Sequence, residues 1–136
     1  MKTNQLRTPR RGMTLIEMTV AIMVLLMFVG LLLIAAKAWK RGSDRAACLM
    51  NIRNVQQALR GYANTNELEV GASLVPPDAP HESVIGPGNF VAVMPHCPAD
   101  GLYGFSGAVV PPVGTLFMTC SLSGSANHEP DDFGSW

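Results

Sequence analysis

Glu17 is the residue whose position most needs a chemical explanation. It opens an uncharged run of nineteen residues, Met18 to Ala36. A carboxylate at the mouth of so apolar a segment is costly and is usually both paired and functional. Just before it stand Arg10, Arg11, Gly12 and Met13, a junction between a basic start and a greasy span. The other side chains capable of chemistry are three cysteines (Cys48, Cys97, Cys120) and three histidines (His81, His96, His128). No CxxC or HxxxH spacing joins them, so spacing gives no support to zinc and no metal is expected. Glu129, Asp131 and Asp132 could offer oxygens to calcium. They lack the alternating ligand pattern of a calcium loop, and a solvated acidic tail is the simpler expectation. There is no Ser-His-Asp elbow, no phosphate loop and no carboxylate pair with a clear setting. No catalytic residue and no cofactor are therefore expected, and the chain is read as a non-enzyme.

The elements that must position these residues follow from hydropathy and punctuation. As a helix, Met18 to Ala36 would span roughly 28 Å, about the hydrocarbon thickness of a bilayer. A chain of 136 residues has too little remaining mass to bury such a helix on every side. After Lys37 the pattern turns amphipathic. Cys48, Ile52, Val55, Leu59 and Tyr62 recur at helical spacing, with Leu49 alongside, as one stripe to bury. One helix from about Met13 to Ala63 is expected, ending near Asn64-Thr65-Asn66. Prolines crowd the next segment, from Pro76 to Pro98, and Gly86-Pro87-Gly88 reads as a turn. Leu102 to Val110 and Thr115 to Leu122 flank Pro111-Pro112-Val113-Gly114, which suggests a β-hairpin with a four-residue loop. The tail from Ser123 to Trp136 is expected to be loosely held.

The net charge of zero hides a segregation. Lys2, Arg7, Arg10 and Arg11 start the chain without an acid, and Lys37 to Arg60 carries basic groups against Asp44 alone. Beyond Arg60 there are acids and no Lys or Arg. A basic stem and an acidic head result. Such a head is a poor partner for phosphates, so no nucleic acid is expected. If copies of the chain pack side by side, the acidic head of one is expected to meet the basic stem of a neighbour.

Two ordinary alternatives compete at the N-terminus. A secretory signal peptide also has a basic start and an apolar core, and Ala36-Lys37-Ala38 offers a cleavage site. The run is too long for that core, however, and Glu17 has no use there. A plain single-pass anchor is the second alternative, with a head that binds something outside the cytoplasm.

The junction resembles that of type IV prepilins and type II secretion pseudopilins. These carry a short basic leader, a Gly, a hydrophobic residue, three more residues and a Glu that opens a long apolar helix. Gly12, Met13, Thr14-Leu15-Ile16 and Glu17 match that order. The resemblance implies cleavage by a prepilin peptidase between Gly12 and Met13, then N-methylation of the Met13 amine; Met13 departs from the commoner Phe. It implies an α+β, pilin-like fold with one long N-terminal helix and a small antiparallel β head. The implied organisation is a cleaved leader (1–12), a transmembrane and filament-core helix (13–36), an amphipathic stem (37–64) and an extracytoplasmic head (65–136). The implied function is that of a structural subunit of a pilus-like or pseudopilus filament, held by a single span in the inner membrane. The implied partners are the peptidase, copies of itself or other pilin subunits, the inner-membrane assembly machinery and membrane lipid. The positive-inside count is nearly tied across the span, so placing the leader in the cytoplasm rests on the cleavage motif.

Glu17 would then pair with the new amine of Met13 on a neighbouring subunit. A buried ion pair of that kind is best understood as a registry device. A head outside the cytoplasm can hold a disulfide. Cys97–Cys120 is the preferred pair, with a bond to Cys48 as the rival. A Cys-x-x-Asn-x-Arg stretch and a Cys-Pro…Gly-x-Tyr…Cys-Ser close also occur in some prepilin-like proteins. Cys48, Asn51, Arg53, Cys97-Pro98, Gly101, Tyr103 and Cys120-Ser121 fit them.

Overall fold

The computed structural model describes residues 12–136. The expected leader, with Lys2, Arg7, Arg10 and Arg11, lies outside the described residues apart from Gly12. The chain is α+β, with one long N-terminal helix and a small antiparallel sheet. It divides into two units, the first ending at Ala38 and the second running from Trp39 to Trp136, and helix α1 (Leu15–Thr65) contributes to each.

In the first unit every residue from Gly12 to Ala38 is exposed within the single chain. Among the described residues, α1 is the one helix long and apolar enough to cross a membrane. Apolar side chains around its whole circumference are stable only if lipid or other protein covers them.

The second unit is built on the amphipathic half of α1. Cys48, Ile52, Val55, Leu59 and Ala63 are buried along one face, at the spacing a helix of 3.6 residues per turn requires. Leu74, Val84, Val110, Phe117 and Met118 complete the core from the loops and the sheet. The helix stops where expected, but without a glycine. Glu67 takes the left-handed conformation (φ 53°). Leu68 N–H then donates to Ala63 O at 2.8 Å and Glu67 N–H to Asn64 O at 3.4 Å. These are the two bonds of a Schellman stop, and Leu68 packs against the core beside Ala63.

Strands β1 (Tyr103–Phe105) and β2 (Met118–Cys120) pair antiparallel, with Tyr103 opposite Cys120 and Phe105 opposite Met118. Met118 and Cys120 face the core while Thr119 faces out, the period of two that a half-buried strand shows. The hairpin is shorter than the sequence suggests. Gly107 turns the chain at φ 75°, and residues beyond it change partner. Leu74 N–H donates to Ala108 O, Val110 N–H to Ala72 O and Gly71 N–H to Val110 O. Pro111 and Pro112 have no N–H to extend that ladder. The expected turn at Gly86-Pro87-Gly88 is present, with Asn89 N–H donating to Gly86 O at 3.0 Å and Gly88 at φ 87°.

The tail is not loosely held. Helix α2 (Ser123–Ala126) is followed by Asn127 in the left-handed conformation and by buried His128. Arg45 Nε donates to Asn127 O at 2.7 Å, and its Nη2 lies 3.2 Å from Asp131 Oδ2. Arg60 donates to the carbonyls of Pro111, Pro112 and Trp136. A basic stem residue thus finds acidic tail within one chain, where the sequence suggested a neighbour.

Gln56 is buried and ties α1 to the strand region. Its Nε2 donates to Thr115 O at 3.1 Å and its Oε1 accepts from Phe117 N–H at 2.9 Å. Gln56→Leu should lower stability by about 1–3 kcal/mol, because it strands a buried donor and acceptor. Denaturant unfolding of the full chain in detergent checks this. An unchanged midpoint would mean that water reaches both groups.

Candidate functional site

The residues able to do chemistry gather in two places, one in each unit. At the head of α1, Thr14 and Glu17 bond reciprocally. Glu17 N–H donates to Thr14 Oγ1 and Thr14 N–H donates to Glu17 Oε2, each at 3.4 Å. Thr14 immediately precedes the first helical residue and Glu17 follows three positions later, which is a capping box. It satisfies two of the backbone donors that a helix start leaves unpaired. The Thr-x-x-Glu spacing that makes the box is contiguous and legible in the sequence, where Glu17 was expected only to seek a partner charge. Gly12 and Met13 are exposed immediately before this box. Among the described residues, a side chain built at Gly12 would meet nothing within 4 Å, so their packing does not demand a glycine there.

The second place lies in the head. Cys48 comes from α1, Cys97 from the loop before β1, Cys120 from the end of β2 and His128 from the tail after α2. Their sulfurs and an imidazole nitrogen all lie within 4.8 Å of one another. Relative exposure is 0% for Cys48, 2% for Cys97, and 3% for both Cys120 and His128. His128 presents Nδ1 to Cys97 Sγ at 3.3 Å. The three cysteines are thiols in the structure, so the Cys97–Cys120 bond expected from the sequence is not made there, nor is its rival with Cys48. His81 instead stacks on Phe105, with ring centroids 4.7 Å apart, and His96 is exposed and is not one of these donors.

A second layer holds these four groups. The Tyr103 hydroxyl donates to Cys48 Sγ at 3.4 Å, and Asn51 Nδ2 donates to the Tyr103 oxygen at 3.2 Å and to His96 O at 3.1 Å. Ser121 Oγ accepts from Leu102 N–H at 3.0 Å. Gly101 sits so close that a Cβ there would stand 2.6 Å from Cys120 Sγ. Burial pushes the Cys48 thiol up to about 12, against the lowering effect of the Tyr103 hydroxyl. Burial acts on Cys97 in the same sense, but the backbone N–H groups of Ala99 and Gly101 outweigh it and bring that thiol below its ordinary value. Burial and the neighbouring Cys48 raise the Tyr103 phenol, which therefore keeps the proton it donates.

Asn51, Gly101, Tyr103 and Ser121 stand out in the sequence only as members of short patterns, and the structure brings them around the thiols. Cys48 was expected to fill the apolar stripe or, as the rival pairing, to bond another cysteine, and His128 was assigned to the tail. No pair of cluster residues shares a short metal-binding spacing, so only the pairing of β1 with β2 and the return of the tail unite them.

Neither the curated proteins nor the solved structures yield a match to this chain. One family model does match, over residues 7–33, and it is described as the prokaryotic N-terminal methylation motif. That match takes in Gly12, Met13, Glu17 and most of the apolar half of α1. Residues 7–33 therefore carry the prepilin-type signature, set on a helix able to span a membrane.

Proposed function

We propose that the chain is a structural subunit of a membrane-rooted filament of the type IV pilus or type II secretion pseudopilus kind. The observation that carries this reading is the methylation motif over residues 7–33, placed on an apolar helix that is exposed all round in the single chain. A prepilin peptidase cuts between Gly12 and Met13, which leaves the apolar helix on the mature protein as its assembly element, and the new amine of Met13 is methylated. The head stays outside the cytoplasm, and the single span holds the subunit in the inner membrane until the assembly machinery draws it into the filament. There the apolar half of α1 exchanges lipid for the helices of other subunits. Glu17 pairs with the Met13 amine of a neighbour, because its own amine lies too near along the same helix to pair well.

Shearing filaments from cells that express the chain with its assembly machinery tests this directly. The mature protein is expected in the sheared fraction. Its retention in the membrane as single copies, with the machinery competent for other subunits, would favour a single-pass anchored binding protein.

A further inference from the structure

The four-residue cluster in the head has no task in filament assembly through α1. We propose that Cys48, Cys97, Cys120 and His128 bind one structural zinc ion, which fastens the tail and the sheet to the stem.

Donor chemistry selects the metal. Three sulfurs and one imidazole nitrogen form one of the donor sets of closed structural zinc sites, and soft thiolates disfavour calcium and magnesium. Geometry selects a single ion. With Zn–S near 2.3 Å and Zn–N near 2.0–2.1 Å, a tetrahedron has edges of roughly 3.6–3.8 Å. The four donor atoms already lie within 4.8 Å of one another, and His128 Nδ1 is 3.3 Å from Cys97 Sγ. Closing around an ion thus needs movements of roughly an ångström or less.

Neither a disulfide nor simple packing of thiols uses the whole cluster. A disulfide takes two sulfurs and leaves the third thiol and the buried imidazole without a task. Thiols packed as small apolar groups account for the sulfurs, but not for a histidine that is 3% exposed and aims Nδ1 among them. Zinc employs all four groups. It also explains the surrounding layer, since three thiolates around a dication leave negative charge to be stabilised. The Tyr103 hydroxyl donates to Cys48, and the backbone N–H groups of Ala99 and Gly101 act on Cys97. Gly101 leaves room beside Cys120.

The site has a structural use. The head contains two strands of three residues and a four-residue helix besides α1 and a short 3₁₀ turn, so regular hydrogen bonding holds little of it. One ion would cross-link four segments of the chain, as metals do in other domains with small cores. No position next to the ion is left for substrate, since all four donors are protein groups and all are buried.

The test uses the full chain purified in detergent, without added thiol or chelator, and the metal content of the protein peak after gel filtration. About one zinc ion per chain is expected. His128→Ala and Cys120→Ser should each lower that at least about tenfold at a zinc activity that loads the parent protein, while His81→Ala leaves it unchanged. Cobalt added to the metal-stripped parent should give the visible absorption of a tetrahedral thiolate site, a readout that does not depend on any variant folding. Zinc retained equally by His128→Ala, absent from the parent, or replaced there by a Cys97–Cys120 disulfide would overturn the assignment. None of these results bears on the filament reading, which rests on the other end of the chain.

Discussion

Replacing Gly12 with leucine is expected to abolish maturation and leave an uncut precursor in the membrane. Among the described residues, a side chain at Gly12 has nothing within 4 Å to meet, so their packing makes no demand for glycine there. The capping box begins two residues later, at Thr14. Any loss on substitution must therefore come from a protein that handles the backbone at that point. A peptidase that cuts beside Gly12 needs the chain extended and close in its active site, and a branched side chain excludes that approach. The precursor should still insert, since the span from Met18 to Ala36 is untouched. Gel mobility and the mass of the N-terminal peptide check the result. Normal maturation of Gly12→Leu would show that no glycine-dependent peptidase acts there.

Glu17→Gln is expected to be cleaved and inserted as usual but to enter filaments poorly. Glu17 has two separable tasks. It closes the capping box with Thr14 in the single chain, and in the proposed filament it carries the charge that meets a neighbour's Met13 amine. Glutamine can hold the third helical position of a capping box, so the cap survives while the charge is lost. Leaving a buried ammonium without its partner costs about 3–5 kcal/mol, which corresponds to about a hundredfold or more in the equilibrium for adding a subunit. Thr14→Ala does the converse. It removes the cap, at about 1 kcal/mol, and keeps the charge, so filaments should form nearly as well as from the parent chain. Sheared-filament yield from the two variants separates these tasks. Equal yields from Glu17→Gln and the parent would remove the proposed ion pair.

The parts of this molecule that could be read from the sequence are those with a local cause. The apolar span, the stripe from Cys48 to Leu59, the end of α1 near Thr65 and the turn at Gly86–Gly88 each follow from a few adjacent residues. The junction at Gly12 was legible for the same reason, since a short signature is contiguous. What could not be read depends on partners far along the chain. The segment from Leu102 to Val110 carries one strand-like pattern, yet Gly107 divides it between β2 and the residues around Ser73. Glu67 serves where glycine normally ends a helix, so composition gave no sign of the stop geometry. The acidic tail looked solvated because its anchors, Arg45 and Arg60, stand more than fifty residues earlier. The thiol and imidazole cluster is the extreme case. Each of its members comes from a different segment, and from the sequence only Cys97 and Cys120 were expected to meet, with Cys48 as the rival partner.

The mass and N-terminal sequence of the mature protein, isolated from membranes with its assembly machinery present, test the filament reading most directly. The expected chain begins at Met13 and carries one methyl group on its α-amine. A mature chain that begins at Ala38 or later would mean that a signal peptidase removes the apolar helix, and would contradict assembly through it.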